Sequence, residues 1–337
     1  MRNGGDIGEF KPHASDIDSN TDSLSKLMLQ TRERGLDFIY RGETETGEYI
    51  CFSHKGLVRE KNEDALGGNF KDLFVVADGM GGHKSGQEAS KIAVEEVEAA
   101  VKAGVELTSD SLSDRIRDII DDSVEVEDEE GGTKNKLEGM GTTLVAFRVE
   151  GDNLEKIHIG DSRLYIYNPQ GELKYVSKDD SYMQAILDSM VKTGEPLDQI
   201  EKIDEREPFS GVISKAFLHN KKRRKKEKDQ KDGKKTVQTN HGLVKIKDEG
   251  KQLTSRGRIK DGSVESEEKI QLEQGDIIIA CSDGMNGMMP QLTIDGIVQS
   301  NQDDLRGMQE IFLKEALAGG GKDNISFIVY QHSKKQL

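Results

Sequence analysis

Residues 73–83 read LFVVADGMGGH, in which an apolar run from Leu73 to Ala77 ends at Asp78 and a glycine-rich turn follows. An unbroken apolar run of this length, rich in Val and Phe and bounded by Gly, predicts a buried strand. Asp-Gly is also the favoured dipeptide of tight hairpins, so a simple turn is one interpretation of Asp78. A carboxylate at the end of a buried strand is costly without a partner, which makes Asp78 a candidate functional residue.

Runs of the same kind recur along the chain, separated by turn residues. They read YICFSHKG, TTLVAFRVEG, LEKIHIGDS, LYIYNPQGELKYV, DIIIACSDG and NISFIVYQH. Turn signals at 150–153 and 168–171 predict hairpins and therefore a mainly antiparallel sheet. Four segments with one apolar stripe each are predicted to be helices: 85–103, 111–123, 182–193 and 304–318. Helices of this kind pack on the faces of sheets, which predicts an α+β fold.

The composition argues against several classes of protein. Apolar residues make up 34% of the 337 residues and charged residues 33%, a balance that indicates a compact domain joined to solvated segments. No apolar run reaches the roughly 18 residues of a membrane-spanning helix, and the N-terminal residues lack the apolar core of a secretory signal. The net charge of −15 argues against a nucleic-acid-binding protein. Cys51 and Cys281 are too few for a disulfide framework and fit a reducing cytoplasm.

The distribution of apolar residues divides the chain into parts. Residues 1–45 are polar and are predicted to form a mobile N-terminal arm, in which 24–29 are apolar enough for a turn or two of helix. Residues 46–332 carry the strand and helix patterns and are predicted to be one domain, followed by a tail at 333–337. Within this domain, 219–266 are poor in apolar residues and open with a basic run, which predicts a low-complexity insertion.

Three more carboxylates lie beside strand-like runs. Asp161 and Asp283 each follow such a run, and Asp323 precedes one. In an antiparallel sheet the end of one strand lies beside the start of its neighbour, so we expect these side chains to meet Asp78 at one edge. Several carboxylates without a matching cluster of His or Cys indicate hard divalent cations, Mg²⁺ or Mn²⁺.

Two segments near Asp78 raise the question of phosphate binding. Arg59 lies four and five residues before two acids, and arginine suits bidentate phosphate recognition; a solvated charge run is the alternative interpretation. The glycine-rich segment after Asp78 runs into a predicted helix at Lys84-Ser85, as a nucleotide-binding P-loop does. That motif requires glycine at the positions held here by Asp78 and His83, so the match fails.

Six short motifs follow one another between residues 49 and 331. They are Arg59…Asn62-Glu-Asp-Ala65, Val76-Ala-Asp-Gly-Met-Gly-Gly-His83, Gly141-Thr-Thr143, Gly160-Asp-Ser-Arg163, Ser282-Asp-Gly284 and Lys322-Asp-Asn324. In this order they resemble the metal-dependent protein serine/threonine phosphatases of the PP2C (PPM) type, most of all the bacterial branch. The resemblance implies a four-layer α-β-β-α sandwich, with two mainly antiparallel sheets flanked by helices and a two-metal site at one end.

Carried over position by position, the resemblance also implies a set of metal ligands. Asp78 would bridge two Mn²⁺ or Mg²⁺ ions, the Gly79 carbonyl would bind one of them, and Asp283 and Asp323 would bind the other. The two cations would lower the pKa of a bridging water and give a hydroxide that attacks phosphorus. Arg59 would grip the substrate phosphate and help to neutralise its charge.

Other positions would have supporting roles. Glu63 and Asp64 would support the metal site, and Asp161 would help to hold a weaker third cation. Some eukaryotic members carry a histidine directly after the Asp-Gly pair as the acid for the leaving group, but this chain has Met80 there. His83 is a candidate proton donor, with capping or packing as the alternative and metal-bound water as a substitute.

The function implied is hydrolysis of phosphoserine and phosphothreonine in proteins that Ser/Thr protein kinases phosphorylate, in cytoplasmic signal transduction. The alternative is a pseudophosphatase that keeps the sandwich as a sensor, scaffold or regulatory binding domain. The basic run Lys221–Lys235 is either a solvated loop or a site that docks an acidic partner or contacts nucleic acid nonspecifically. No membrane and no specific nucleic acid is expected as a partner.

Overall fold

Most of the long strands of the described residues follow the hydrophobic pattern of the sequence. The computed structural model describes residues 9–10, 22–33, 37–80, 84–105, 107, 112, 125–127, 133–135, 141–180, 217–218, 236–239, 242–245, 258–259 and 269–333. The strands of these residues are β1 Glu9–Phe10, β2 Asp37–Glu43, β3 Gly47–His54, β4 Ala65–Gly67, β5 Leu73–Ala77, β6 Gly79–Met80, β7 Glu125–Glu127, β8 Thr133–Asn135, β9 Gly141–Thr142, β10 Leu144–Glu150, β11 Asn153–Ile159, β12 Arg163–Tyr167, β13 Leu173–Val176, β14 Phe217–Leu218, β15 Thr236–Thr239, β16 Gly242–Lys245, β17 Arg258–Ile259, β18 Ile270–Gln271, β19 Ile277–Cys281 and β20 Ile325–His332. The helices are α1 Asp22–Glu33, α2 Lys84–Lys102, α3 Asp283–Asn286, α4 Gln291–Ser300 and α5 Leu305–Ala318.

Two large sheets form the centre of the molecule. The larger has the strand order β1-β2-β3-β20-β19-β12-β13-β17 and the smaller has the order β18-β11-β10-β5-β4. Within these sheets, the described strands pair in antiparallel fashion except β1 with β2. The hairpin turns predicted at 150–153 and 168–171 are confirmed, with Gly151 and Gly171 at φ values of 59° and 74°. Glycine takes such values without a steric penalty.

Apolar side chains fill three layers between the elements. The cluster between the two sheets includes the rings of Phe74 and Phe147, whose centroids lie 5.0 Å apart. Helix α2 packs its stripe, including Val97, on the outer face of the smaller sheet, while α4 and α5 cover the larger sheet with side chains such as Phe312. The layer order is α-β-β-α, which confirms the predicted sandwich. None of the helices in the described part of the chain is both long and apolar enough to cross a membrane.

The N-terminal segment carries a helix and a strand that belong to the core. Leu24 and Met28 of α1 and Phe38 of β2 are buried in the cluster between the sheets. Leu24 and Met28 lie four residues apart, so one stripe faces the core although the rest of the helix is polar. The prediction of a mobile arm is therefore wrong for residues 22–33 and 37–43, because their few apolar side chains are placed where they can be buried.

Parts of the predicted organisation fall outside the described residues. Nothing is described of 182–193, and only residue 112 of 111–123. Within 219–266, the structure describes the backbone of β15 and β16, which pair as a hairpin, and of β17, which pairs with β13. The low-complexity insertion therefore stays a prediction.

Candidate active site

Asp78 and Asp161 lie at the same edge of the smaller sheet. Asp78 follows β5 and Asp161 follows β11, and these strands flank β10. Because β10 is antiparallel to both, β5 and β11 run in the same direction and end at the same edge. The start of β10 links the two ends. Thr143 Oγ1 accepts a hydrogen bond from the Asp78 amide at 3.0 Å and contacts the Ser162 hydroxyl at 2.7 Å, so the backbone beside both carboxylates is fixed.

Asp283 and Asp323 lie at one edge of the larger sheet. Strands β19 and β20 are antiparallel neighbours, Asp283 follows the end of β19, and Asp323 precedes the start of β20. The two segments are in backbone contact, since a Cβ on Gly284 would lie 1.8 Å from the Asn324 carbonyl oxygen. The carboxylates of neighbouring strands therefore meet as the antiparallel pattern predicts.

We expect Gly284→Ala to lower the free energy of unfolding by about 3 kcal/mol, because the new methyl group overlaps a backbone oxygen and strand β20 cannot move aside cheaply. Gly296→Ala in α4 is the control, since no atom lies within 4 Å of its Cβ position and alanine favours the helix by roughly 0.5–1 kcal/mol. Urea unfolding of both variants measures the difference. Equal stability of the two would contradict the close contact at Gly284.

The segment 62–64 joins the two sheet edges. Asp64 Oδ2 accepts a hydrogen bond from Ser282 Oγ at 2.8 Å. The Glu63 amide donates to Asn324 Oδ1 at 2.8 Å, and the amide group of Asn324 donates to two carbonyl groups of the loop after β3. Asn324 therefore ties this loop to the start of β20, which brings Glu63 and Asp64 to the other carboxylates.

Gly79 and Glu63 present oxygen atoms side by side. The Gly79 carbonyl oxygen and Glu63 Oε1 each lie 2.8 Å from the position that a Cβ on Gly86 would occupy. A Cβ on Gly79 would in turn lie 2.1 Å from the Gly86 carbonyl oxygen. Any side chain at these two positions would separate the start of α2 from the turn after Asp78, so glycine is required for this approach.

Arg59 stands at the exposed side of the cluster. Its side chain is 47% exposed, and Nη2 donates to Asp323 Oδ2 at 2.5 Å. Glu63 and Asp78 also attract its charge. A half-exposed arginine of this kind can bind an anion from solvent through its exposed side while its bond to a neighbouring carboxylate is kept.

Burial and mutual repulsion dominate the electrostatics of the cluster. Burial, followed by the charges of Asp323 and Asp283, raises the pKa of Asp64 to about 7. Burial, and then Asp283, likewise raises the pKa of Asp161 to about 7. The pKa of Asp78 lies well above its ordinary value because the group is buried and faces these other carboxylates. The pKa of Asp283 is raised by burial and by Asp323, and a side-chain hydrogen bond with Asp78 opposes the rise.

Whether divalent cations fit this cluster can be judged from the buried carboxylate oxygens that lack a hydrogen-bond partner. One carboxylate oxygen each of Asp64, Asp161 and Asp283 is buried and has no hydrogen-bond partner among the described residues. Buried carboxylate oxygens need a proton donor or a cation, and an all-oxygen donor set suits Mg²⁺ or Mn²⁺. Among the described residues, no three His, Cys, Asp or Glu side chains lie in positions that could coordinate one metal ion together. The donor chemistry of the cluster nevertheless fits these cations.

The structure brings together most of the residues singled out from the sequence, and it adds others. The cluster comprises Arg59, Glu63, Asp64, Asp78, Gly79, Asp161, Asp283 and Asp323. His83 lies outside the described residues. Sequence reasoning assigned no role to Thr143 or Asn324, although both belong to the quoted motifs. The sequence feature that could have revealed them is a hydroxyl or amide side chain next to the end of a strand, where it can form a hydrogen bond with a neighbouring backbone segment.

A four-layer sandwich whose two sheets end at a cluster of carboxylates and one arginine agrees with the class of phosphatases that the six sequence motifs resemble. The chain belongs to the protein phosphatase 2C family, whose model matches residues 57–309. This confirms the family resemblance inferred from the six motifs.

Relatives of the chain are named serine/threonine phosphatases. The serine/threonine phosphatase stp of Listeria welshimeri is 26% identical over 289 residues, which are 84% of this chain and 94% of the relative. The serine/threonine protein phosphatase PstP of Mycobacterium tuberculosis is 35% identical over 156 residues, 42% of this chain but only 26% of that protein. The crystal structure of PstP has a TM-score of 0.59 at 26% identity and covers 86% of this chain and 99% of its own.

A further structure shares the fold. The catalytic domain of PstP in complex with two manganese ions has a TM-score of 0.55 at 24% identity, covering 86% of this chain and 99% of that one. The chain is thus a member of a family of protein serine/threonine phosphatases, and it spans about a quarter of the length of the curated PstP sequence.

Proposed function

We propose that this protein hydrolyses phosphoserine and phosphothreonine in other proteins with the help of two divalent cations, Mn²⁺ or Mg²⁺. One observation carries the proposal: the buried carboxylates converge on one place, with the ion pair of Arg59 and Asp323 at its exposed side. Buried negative charge of this density calls for cations, and an accessible arginine suits an anionic substrate. The names of the relatives support the substrate class.

The proposed ligands follow from the donor set. Asp78, the Gly79 carbonyl, Asp283 and Asp323 would hold the two cations. The supporting residues would be Glu63 and Asp64, and a weaker third cation would use Asp161. When bound, the cations would supply a water activated for attack on phosphorus and would neutralise charge on the transferring group.

Arg59 would bind the substrate phosphate. Its two terminal nitrogens form a fork that matches two phosphate oxygens, and its bond to Asp323 orients the guanidinium before substrate arrives. Charge spreads over the equatorial oxygens in the transition state of phosphoryl transfer, so a fixed cation there lowers the barrier.

The serines of the cluster are unsuited to act as nucleophiles, which supports direct attack by water. Ser162 and Ser282 are fully buried. The Ser282 hydroxyl donates to Asp64, and the Ser162 hydroxyl contacts that of Thr143. A covalent phosphoserine at either position would have no room for the phosphate.

A phosphopeptide panel tests the proposed function. The wild-type protein is assayed with Mn²⁺, with Mg²⁺ and with EDTA on peptides that carry phosphoserine, phosphothreonine or phosphotyrosine. Metal-dependent release of phosphate from the first two is the expected result. A protein that binds Mn²⁺ but releases no phosphate would contradict the proposal and favour a sensor or scaffold role.

Arg59→Ala is expected to raise KM for a phosphothreonine peptide about 30-fold while kcat falls less, since a charged hydrogen bond contributes roughly 1.5–3 kcal/mol. Arg59→Lys keeps the charge but loses the fork, so we expect an intermediate KM. Steady-state kinetics at saturating Mn²⁺ measures both constants. Arg41→Ala is the control, because Arg41 is also exposed and pairs with Glu48 at the surface. An unchanged KM in Arg59→Ala would exclude the proposed phosphate contact.

The proposal extends to the setting of the enzyme. We place the activity in the cytoplasm, and the two free, buried cysteines Cys51 and Cys281 support a reducing environment. The substrates would be proteins phosphorylated by a Ser/Thr protein kinase. The basic run Lys221–Lys235, which lies outside the described residues, would attract an acidic partner through its charge.

A further inference from the structure

Arg32 of α1 is a buried charge that bonds to the backbone behind the carboxylate cluster. Only 6% of the surface of Arg32 is exposed to solvent. Nη1 donates to the Asp64 carbonyl oxygen at 3.0 Å and to Ser90 Oγ at 2.9 Å, and Nη2 donates to the Gln87 carbonyl oxygen at 3.0 Å. A buried guanidinium is retained only where its donors find acceptors, so these bonds fix its position.

Three consecutive carbonyl groups of the segment 62–64 each receive one side-chain hydrogen bond. Gln87 Nε2 donates to the first carbonyl at 2.8 Å, and Ser90 Oγ donates to the second at 2.6 Å. Arg32 donates to the third and also holds the Ser90 hydroxyl and the Gln87 backbone. Arg32 is therefore the common point of the network that fixes this backbone.

The same segment is held from the other side by the residues that follow β19 and precede β20. The Glu63 amide bonds to Asn324, and the Asp64 carboxylate bonds to Ser282. With both faces fixed, the carboxylates of Glu63 and Asp64 are held in one orientation toward the cluster. A residue that bonds to the backbone of such a segment controls where those carboxylates lie.

Helix α1 lies before the residues that the family model matches, which begin at 57. Besides Arg32, it docks through buried Leu24 and Met28 and through Ser25, whose hydroxyl donates to Glu98 Oε1 of α2 at 2.7 Å. The Ser25 contact stabilises the helix without touching the segment 62–64. It offers a way to separate the docking of α1 from the action of Arg32.

We infer that Arg32 is a positioning residue of the active site: from α1 it holds the segment 62–64 so that Glu63 and Asp64 support the bound cations. The inference rests on the proposed function. It makes the N-terminal helix a part of the catalytic unit rather than an appendage. Arg32 acts on the binding of the cations, whereas the binding of the substrate through Arg59 does not depend on it.

The test compares Arg32→Ala and Arg32→Lys with Ser25→Ala in the full chain. For each we measure the melting temperature in EDTA, the Kd for Mn²⁺ by calorimetry, and kcat and KM for a phosphothreonine peptide across Mn²⁺ concentrations. Arg32→Ala is expected to raise the Kd and the half-saturating Mn²⁺ concentration about tenfold, as loss of an outer support does. At saturating Mn²⁺ its peptide KM should equal that of the wild type.

The two other variants give matched readings. Ser25→Ala should lower the melting temperature and leave the Kd for Mn²⁺ unchanged. Arg32→Lys should fall between the wild type and Arg32→Ala, since the three N–H groups of an ammonium radiate from one nitrogen and cannot reach acceptors that Arg32 contacts through two separate nitrogens. If Arg32→Ala does not fold, Arg32→Lys and Ser90→Ala decide, because each weakens the same network with a smaller loss of packing.

The outcomes separate this inference from the proposed function. A Kd for Mn²⁺ within twofold of the wild type in the folded Arg32 variants, whatever their melting temperature, would show a purely structural role and overturn the inference. A wild-type protein that neither binds Mn²⁺ nor releases phosphate would instead overturn the proposed function, and this inference with it.

Discussion

Asp78→Asn is expected to reduce Mn²⁺-dependent phosphatase activity at least about a thousandfold and to raise the melting temperature measured in EDTA. The activity falls because a neutral amide cannot replace the carboxylate that would hold the cations. The stability rises because Asp78 is buried against Asp64, Asp161, Asp283 and Asp323, so that its carboxyl group must either repel their charges or hold a proton, and the neutral amide does neither. The amide also keeps the shape and can donate to Asp283.

Asp72→Asn is the matched control for this experiment. Asp72 lies at the other end of the same strand, where its carboxylate accepts a hydrogen bond from Arg148 Nε at 2.6 Å. We expect activity within twofold of the wild type and a slightly lower melting temperature, since a partly exposed ion pair is lost. Retention of more than a tenth of the activity in Asp78→Asn, or a fall in its melting temperature in EDTA, would contradict the proposed role.

The positions of four carboxylates could be predicted from the sequence because each lies beside a continuous apolar run: Asp78, Asp161, Asp283 and Asp323. The expected geometry was right for Asp283 and Asp323, whose strands are antiparallel neighbours. Asp78 and Asp161 meet for another reason, since their strands run in the same direction on either side of β10. The cluster joins the edges of two sheets rather than one, and strand order across two sheets cannot be obtained from local patterns.

The contribution of α1 could not be predicted in this way. Its segment has a polar composition, and the charge of Arg32 is typical of an exposed helix face. Burial of Arg32 depends on acceptors at Asp64, Gln87 and Ser90, which are 32, 55 and 58 residues away in the chain. Local periodicity carries no information about such partners, so the burial of Arg32 in a polar network could not be predicted from the sequence.

The charge of the cluster also predicts how stability depends on pH in the absence of divalent cations. Asp64 and Asp161 have pKa values of about 7 in the folded protein, whereas the ordinary value for aspartate is 3.8. Between these values the folded state retains protons that the unfolded state has released. Stability falls with rising pH wherever the folded state binds more protons, so raised carboxyl pKa values destabilise the protein as the pH approaches 7.

We therefore expect the melting temperature in EDTA to fall by on the order of 5 °C between about pH 5 and pH 7.5, with a shallower slope in Asp78→Asn. Saturating Mn²⁺ should stabilise the protein more at pH 7.5 than at pH 5, because cations bind the ionised carboxylates and displace their protons. Differential scanning fluorimetry across this range, with and without Mn²⁺, measures both trends. Asp303→Asn, which removes an exposed carboxylate, should keep the wild-type slope. A melting temperature in EDTA that rises with pH, or stabilisation by Mn²⁺ that is independent of pH, would show that these carboxylates neither share protons nor exchange them for cations.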